Sequence, residues 1–220
     1  AGDLPDRAAR LLAIAHANSQ RLVRLINDIL DMEKIESGQM TFAMSGADVV
    51  DLTRRAVDAM RGLGDDLSVR FEVKAAENLP PVQVDTDRMT QVLSNLLSNA
   101  AKFSPAGGLV EVSIQAAGSS RLRISVRDFG QGVPPEFRHR IFSKFAQADA
   151  SDTRQKGGTG LGLAISREIV DRHGGRLWFE NLSPGAVFHV DLPTSHPERA
   201  SEAARSCVLL CEDDRETAEM

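Results

Sequence analysis

The helix-forming run Met89 to Phe103 carries Gln91, Asn95, Asn99 and Lys102 at spacings of four, four and three. On a helical wheel these four lie within about 80° of one another. Two amides and an ammonium in one stripe suit a hydrated divalent cation and the phosphates it bridges, because hard cations prefer oxygen ligands. Met89, Val92, Leu93, Leu96, Leu97 and Ala100 fill the other side. A plain solvated face would be richer in Glu and Lys than in spaced Asn.

Two glycine-bearing segments add to this stripe. Eight of the 17 glycines fall between positions 130 and 175, a clustering that marks backbone turning sharply or approaching a ligand. Asp128-Phe129-Gly130-Gln131-Gly132 follows a strand pattern. A carboxylate at a strand end, beside glycines that let a flat ring pass, can accept a hydrogen bond from an exocyclic amine such as N6 of adenine. Read alone, the segment is equally a simple Asp-containing turn. Gly157-Gly158-Thr159-Gly160-Leu161-Gly162-Leu163 opens a helix, where backbone amides and the positive end of the dipole form an anion cradle. It does not follow a strand in a βαβ unit, which argues against a dinucleotide fingerprint.

The elements that must position these residues follow from periodicity. Residues 3–37 read as one long helix, capped by Asp3 or Asp6 with Pro5 tolerated in its first turn. Leu11, Ala15, Asn18, Leu22, Leu25, Ile29 and Met32 form a heptad seam. Val23, Ile26 and Leu30 widen it toward a bundle helix that needs a partner. Strands are expected at 39–44, 67–73, 82–84, 109–115, 121–128, 176–180 and 186–191, and helices at 48–61, 86–103 and 159–173. The turn at 117–120 joins two alternating runs as a hairpin. His173, before Gly174-Gly175, sits at a helix end that favours a cation. The irregular stretch 129–158 is too long for an ordinary connection and suits a functional lid. Its part from 133 to 158 has five Lys or Arg against three Asp or Glu. The expected fold class is a two-layer α/β sandwich with a mixed, largely antiparallel sheet, preceded by the long bundle-type helix.

Composition is that of a soluble globular chain: 220 residues, 42% hydrophobic, 26% charged, with a formal net charge of −5. Residues 193–220 carry most of that charge, with seven acids against Arg199, Arg205 and Arg215. A nucleic-acid partner held by a broad basic surface is not expected. No run of 18 to 20 apolar residues or signal-peptide pattern is present, which gives a cytoplasmic expectation, with room for membrane anchoring of a longer parent protein. Cys207 and Cys211 are spaced as buried strand thiols rather than as a redox pair.

Taken together, these segments resemble the histidine kinase catalytic, ATP-binding domain of the gyrase, chaperone, histidine kinase and mismatch-repair superfamily, whose fold is the Bergerat type. QVLSNLLSNAAKFS looks like that family's asparagine box, DFGQGV its first glycine box, IFSKFAQAD its phenylalanine box and GGTGLGLAI its second glycine box, in the family's order. The likeness covers residues 39–192. Residues 1–38, ending RLVRLINDILDMEKIESG, are similar to the second helix of the dimerisation and phosphoacceptor hairpin. Residues 193–206 read as a linker. Residues 207–220, with CVLLCEDD, look like the start of a receiver domain, as in hybrid sensor kinases.

The resemblance implies ATP and Mg²⁺ as ligands. Asp128 would bind the adenine amine, Asn99 with Asn95 would hold Mg²⁺, and Lys102 would meet phosphate. Gly130 and Gly132 would shape the adenine pocket, while Gly158, Thr159, Gly160, Leu161 and Gly162 would line the phosphates. Phe142 and Phe145 would pack the lid, and Lys144, Arg154 and Lys156 would reach the γ-phosphate. The implied partners are ATP or ADP, the phosphoacceptor histidine helix, a receiver domain or response regulator, and a second copy of the parent protein. The family's phosphoacceptor run is absent from these residues: His16 lies mid-helix in Ala15-His16-Ala17-Asn18-Ser19. The expected activity is therefore transfer to a histidine elsewhere, with no self-labelling of this chain. The alternatives are an ATP-hydrolysing conformational switch, which would want a glutamate where Asn95 stands, and a non-catalytic nucleotide-binding module.

Overall fold

The computed structural model describes residues 6–146 and 159–194. Helix α1 spans Asp6–Glu36 and ends as the sequence expects. Ser37 returns its hydroxyl to the carbonyl of Glu33, and Gly38 takes a positive φ of 67°. Most of the apolar stripe finds no cover: Leu11, Leu12, Ile14, Leu22, Val23, Ile26, Ile29 and Leu30 are 44% to 61% exposed. Only the C-terminal end of the seam, Met32 and Ile35, packs on the domain core.

Residues 39–44 are not a strand. Met40 is buried and Phe42 half-buried, so the alternation is real, but the backbone has no ladder partner there. The N–H of Met40 bonds back to the Lys34 carbonyl, and that of Ala43 to the Asp85 carboxylate. Pairing starts with β1 (Ser45–Ala47), antiparallel to β3 (Val82–Val84). Helix α2 (Val49–Ala59) is capped by Asp48, whose carboxylate accepts from the amides of Val50 and Asp51. A further helix that periodicity does not reveal, α3 (Arg61–Leu67), follows. Gly64 in it is obligatory, because a Cβ there would lie 2.7 Å from the Val69 carbonyl oxygen. Strand β2 occupies Arg70–Ala75, slightly later than its apolar alternation suggests.

Helix α4 spans Thr86–Phe103, capped by Asp85 through the amides of Asp87 and Arg88. Three backbone donors hold the Asp85 pKa below the usual carboxylate range, although burial alone would raise it. The Asp85 amide in turn donates to Nε2 of His173 at 2.9 Å, and His173 Nδ1 lies 2.7 Å from the Ile169 carbonyl oxygen. His173 is buried against the edge of Phe42. It is buried rather than exposed at the helix end, and it ties the cap of α4 to the carbonyl of Ile169. Its own helix, α5, spans Gly162–Arg172.

Strands β4 (Leu109–Ala116) and β5 (Arg121–Arg127) form the expected hairpin. With β6 (Arg176–Asn181) and β7 (Ala186–Pro193) they build a five-stranded sheet in the order β2-β4-β5-β7-β6. Among the described residues only β2 and β4 run parallel, so the sheet is mixed and largely antiparallel. Every second residue of its central strands (Val110, Val112, Ile114, Leu122, Ile124, Val126) meets Met89, Leu93, Leu96 and Leu97 of α4 and Ile165 and Ile169 of α5 in one core. Each such side chain contributes about 1.5–3 kcal/mol of burial. This layer fixes the opposite stripe of α4 and the end of β5 toward a common cavity.

Candidate functional site

The cavity encloses about 680 Å³ and lies between α4, the end of β5, the start of α5 and the C-terminal half of α1. That size suits a nucleotide-scale ligand. Asp128 stands at one side, 5% exposed, where β5 ends. Its Oδ1 accepts the Gly130 amide at 2.9 Å. Burial raises its pKa, and that hydrogen bond offsets part of the rise. Gly130 is there because a Cβ would come within 2.1 Å of the Phe103 carbonyl oxygen. Gly132 has φ 73° and its Cβ would lie 2.9 Å from the Gly185 carbonyl oxygen. The next residue, Val133, is clamped by Asn181, which accepts its N–H and donates to its carbonyl.

Helix α4 lines the same cavity with Asn95, Asn99 and Lys102. Asn95 donates from Nδ2 to Ser166 of α5 at 3.0 Å, and Asn99 Nδ2 reaches Asn95 Oδ1 at 3.5 Å. Asn99 thus keeps its Oδ1 as an oxygen donor, which fits a hard cation. Among the described residues no group of three His, Cys, Asp or Glu could hold a metal alone. An ion here would have to share its coordination with phosphate oxygens and water. Lys102 is largely buried and its pKa is lowered, first by desolvation and then by the charge of Arg24. Gly162 closes this wall, since a Cβ would lie 2.4 Å from Asn95 Oδ1.

Asn95, Asn99, Lys102, Asp128, Gly132, Thr159, Gly160 and Gly162 therefore share one cavity. Gln91 lines it too, but its amide is committed to Asp31 of α1, beside the Arg88–Asp31 ion pair. Thr159 gives its hydroxyl to Asp28 of α1 at 2.7 Å. Lys144 is paired with Glu36 of α1. The Leu161 side chain is fully buried in the core, so only its backbone is at the glycine turn. Phe142 packs beside Phe179 and under Arg167. Phe145 is 66% exposed with φ 58° rather than packed; its backbone lies against Gly160, whose Cβ would sit 2.9 Å from it. Arg154, Lys156, Gly158 and the segment 207–220 lie outside the described residues.

The wall supplied by α1, namely Arg21, Arg24, Asn27 and Asp28, is absent from the sequence reading. These polar residues stand beside the apolar stripe, and their i, i+3, i+6 and i+7 spacing is the signal that marks a second face of the helix.

The profile described as histidine kinase-, DNA gyrase B- and HSP90-like ATPase matches residues 84–196. The chain belongs to this ATPase family. Within the family it is similar to histidine kinases. It is 36% identical over 194 residues to the sensor histidine kinase WalK of Bacillus subtilis, covering 86% of this chain and 31% of that protein. Full-length ShkA in complex with AMPPNP superposes with a TM-score of 0.74 at 28% identity, over 88% of this chain and 40% of ShkA. The histidine kinase ThkA in complex with the response regulator TrrA gives 0.67 at 27% identity, over 90% of this chain and 54% of that one. The chain thus spans about a third of the curated relative WalK. The likeness covers the mixed sheet, the asparagine-bearing helix and the glycine turn of an ATPase-family member. Among the described residues no helix is long and apolar enough to cross a membrane.

Proposed function

We propose that this chain is the ATP-binding catalytic portion of a sensor histidine kinase, transferring the γ-phosphate of ATP to a histidine supplied by a segment outside these 220 residues. The observation that carries the reading is that a buried carboxylate, Asp128, lines one cavity together with the amides of α4 and the glycine-lined start of α5. Asp128 accepts the adenine amine, and Asn99 with Asn95 holds Mg²⁺. Lys102 and the amides at Gly160 to Gly162 meet the phosphate chain. Mg²⁺ when bound neutralises charge on the phosphates. The chain's own part is positioning and electrostatic stabilisation: the acceptor imidazole attacks the γ-phosphorus, ADP leaves, and no covalent intermediate forms on this chain.

Transfer is favoured over hydrolysis because Asn95 carries an amide, which cannot act as a general base. The uncovered apolar face of α1 supports the reading of this helix as half of a hairpin that pairs with a second helix and a second copy of the protein. A response regulator or receiver domain is the expected onward acceptor, in line with the ThkA and TrrA complex. A cytoplasmic setting follows from the need for ATP.

The test is incubation with γ-labelled ATP and Mg²⁺ of two proteins: this chain, and a longer one restoring the helix upstream. Acid-labile label on a histidine of the longer protein, with none on the 220-residue chain, is expected. Steady phosphate release without label on either sinks the transfer reading.

A further inference from the structure

Four polar residues of α1 face the cavity, and none lies in a motif by which the nucleotide site was recognised. We propose that Arg24 is a phosphate-contacting residue of that site, supplied by α1 of the same chain, which makes the site select a nucleoside triphosphate over shorter tails. The inference rests on the nucleotide reading above and adds to it a residue and a specificity.

Charge is the first argument. Arg21, Arg24 and Lys102 all line the cavity, and among the described residues none of the three forms an ion pair. Three cations against the two carboxylates Asp28 and Asp128 leave the concave surface net positive, which favours a polyanion. Arg24 donates only a long bond, from Nε to the Gln20 carbonyl at 3.4 Å, which leaves the two terminal nitrogens of its guanidinium for a ligand. A planar fork of that kind engages phosphate oxygens in pairs.

Position is the second. Arg24 and Asp28 are one helical turn apart on the same face of α1. Asp28 Oδ2 is 2.7 Å from the Thr159 hydroxyl, so α1 touches the glycine-lined turn that opens α5. That contact puts Arg24 one helical turn from the glycine-lined side of the cavity, where the phosphates would lie. Arg24 is also near enough to Lys102 and to Asp28 to act on the charge of both, lowering the Lys102 pKa and opposing the burial that raises that of Asp28. A phosphate chain between Arg24 and Lys102 relieves their mutual repulsion. The longest tail reaches furthest toward α1, so the contact is strongest for a triphosphate.

The experiment is calorimetric titration of the full chain with AMPPNP, ADP and adenosine in Mg²⁺, for the unaltered protein, Arg24→Gln, and Arg55→Gln. Arg55 is an exposed arginine on α2 paired with Asp51 and outside the cavity. The expected result is a loss of about 3- to 10-fold in AMPPNP affinity for Arg24→Gln, a smaller loss for ADP, and no change for adenosine. Arg55→Gln should change none of the three. Equal affinities for Arg24→Gln and the unaltered chain overturn the proposal. So does a loss that includes adenosine, which would mark a packing effect, or an equal loss in Arg55→Gln, which would mark a general charge effect. If the unaltered chain binds none of the ligands, the nucleotide reading itself falls, and that outcome is distinct from an unchanged Arg24→Gln.

Discussion

Asp28 of α1 accepts a 2.7 Å hydrogen bond from the hydroxyl of Thr159, the first described residue of the glycine turn that opens α5. A carboxylate therefore stands where the sequence places phosphate. Desolvation raises the Asp28 pKa, and the Thr159 hydrogen bond only partly offsets it. With the Lys144–Glu36 pair, α1 holds two groups expected to serve the phosphates.

Replacing Asp28 with Asn keeps an oxygen acceptor for Thr159 and removes a negative charge from the phosphate end. Affinity for ATP should rise about 2- to 5-fold, the scale of one partly exposed charge acting at short range. Titration calorimetry measures it, and a fall in affinity would show that the carboxylate does not oppose the phosphates.

The raised pKa of Asp128 also has a stability consequence. Its protonated form is favoured by the folded state, so its effect on stability is least unfavourable below the ordinary carboxylate pKa and worsens as pH rises from there through the folded value. At neutral pH the buried charge is a net cost. Asp128→Asn, which can still accept the Gly130 amide, should unfold at the same temperature as the unaltered chain or higher at pH 7, and this gain should shrink toward pH 4. Melting curves across that range check the sign.

Two glycine substitutions should separate fold from site. In Gly130→Ala the new Cβ meets backbone, the Phe103 carbonyl oxygen at 2.1 Å, and the chain should lose about 1–3 kcal/mol of stability or more. In Gly162→Ala the obstacle is the end of a side chain, the Asn95 amide at 2.4 Å, which can swing away. Stability should then change by less than about 1 kcal/mol, while Mg²⁺-dependent nucleotide affinity falls about tenfold or more. Urea melts and metal-dependent titrations distinguish the two.

His173→Leu removes the acceptor of the Asp85 amide at the cap of α4. A buried donor left without a partner costs about 1–3 kcal/mol, read as a drop of several degrees in melting temperature. His173→Gln, able to offer an oxygen, should recover part of it.

Where periodicity and capping agreed, the sequence was sufficient: Asp85 caps α4, which runs Thr86–Phe103 as expected, and the β4–β5 hairpin falls where its alternation lies. Met40 and Phe42 show why alternation alone misleads. They bury alternate side chains without any neighbouring strand, because Lys34 and Asp85 take the backbone donors. Helix α3 was hidden by Gly62 and Gly64, the second of which is demanded by the close Val69 backbone. The motif residues of α4 and the glycine turns were legible because their spacing follows local geometry. The α1 wall was not, since nothing local states that a helix some 130 residues before Thr159 returns to cover it. The same long-range contact explains why Thr159 and Lys144 meet carboxylates in the structure.

The central claim is that a purine nucleotide enters with its exocyclic amine on Asp128. It is tested most directly by titrating the chain and Asp128→Asn with ATP and with GTP in Mg²⁺. Adenine offers an amine at the position where guanine offers a carbonyl, which an ionised Asp128 repels. The unaltered chain should bind ATP at least about tenfold more tightly than GTP, a difference of about 1.4 kcal/mol, and Asp128→Asn should lose most of that preference together with its ATP affinity. Equal binding of ATP and GTP, unchanged by Asp128→Asn, would contradict the account.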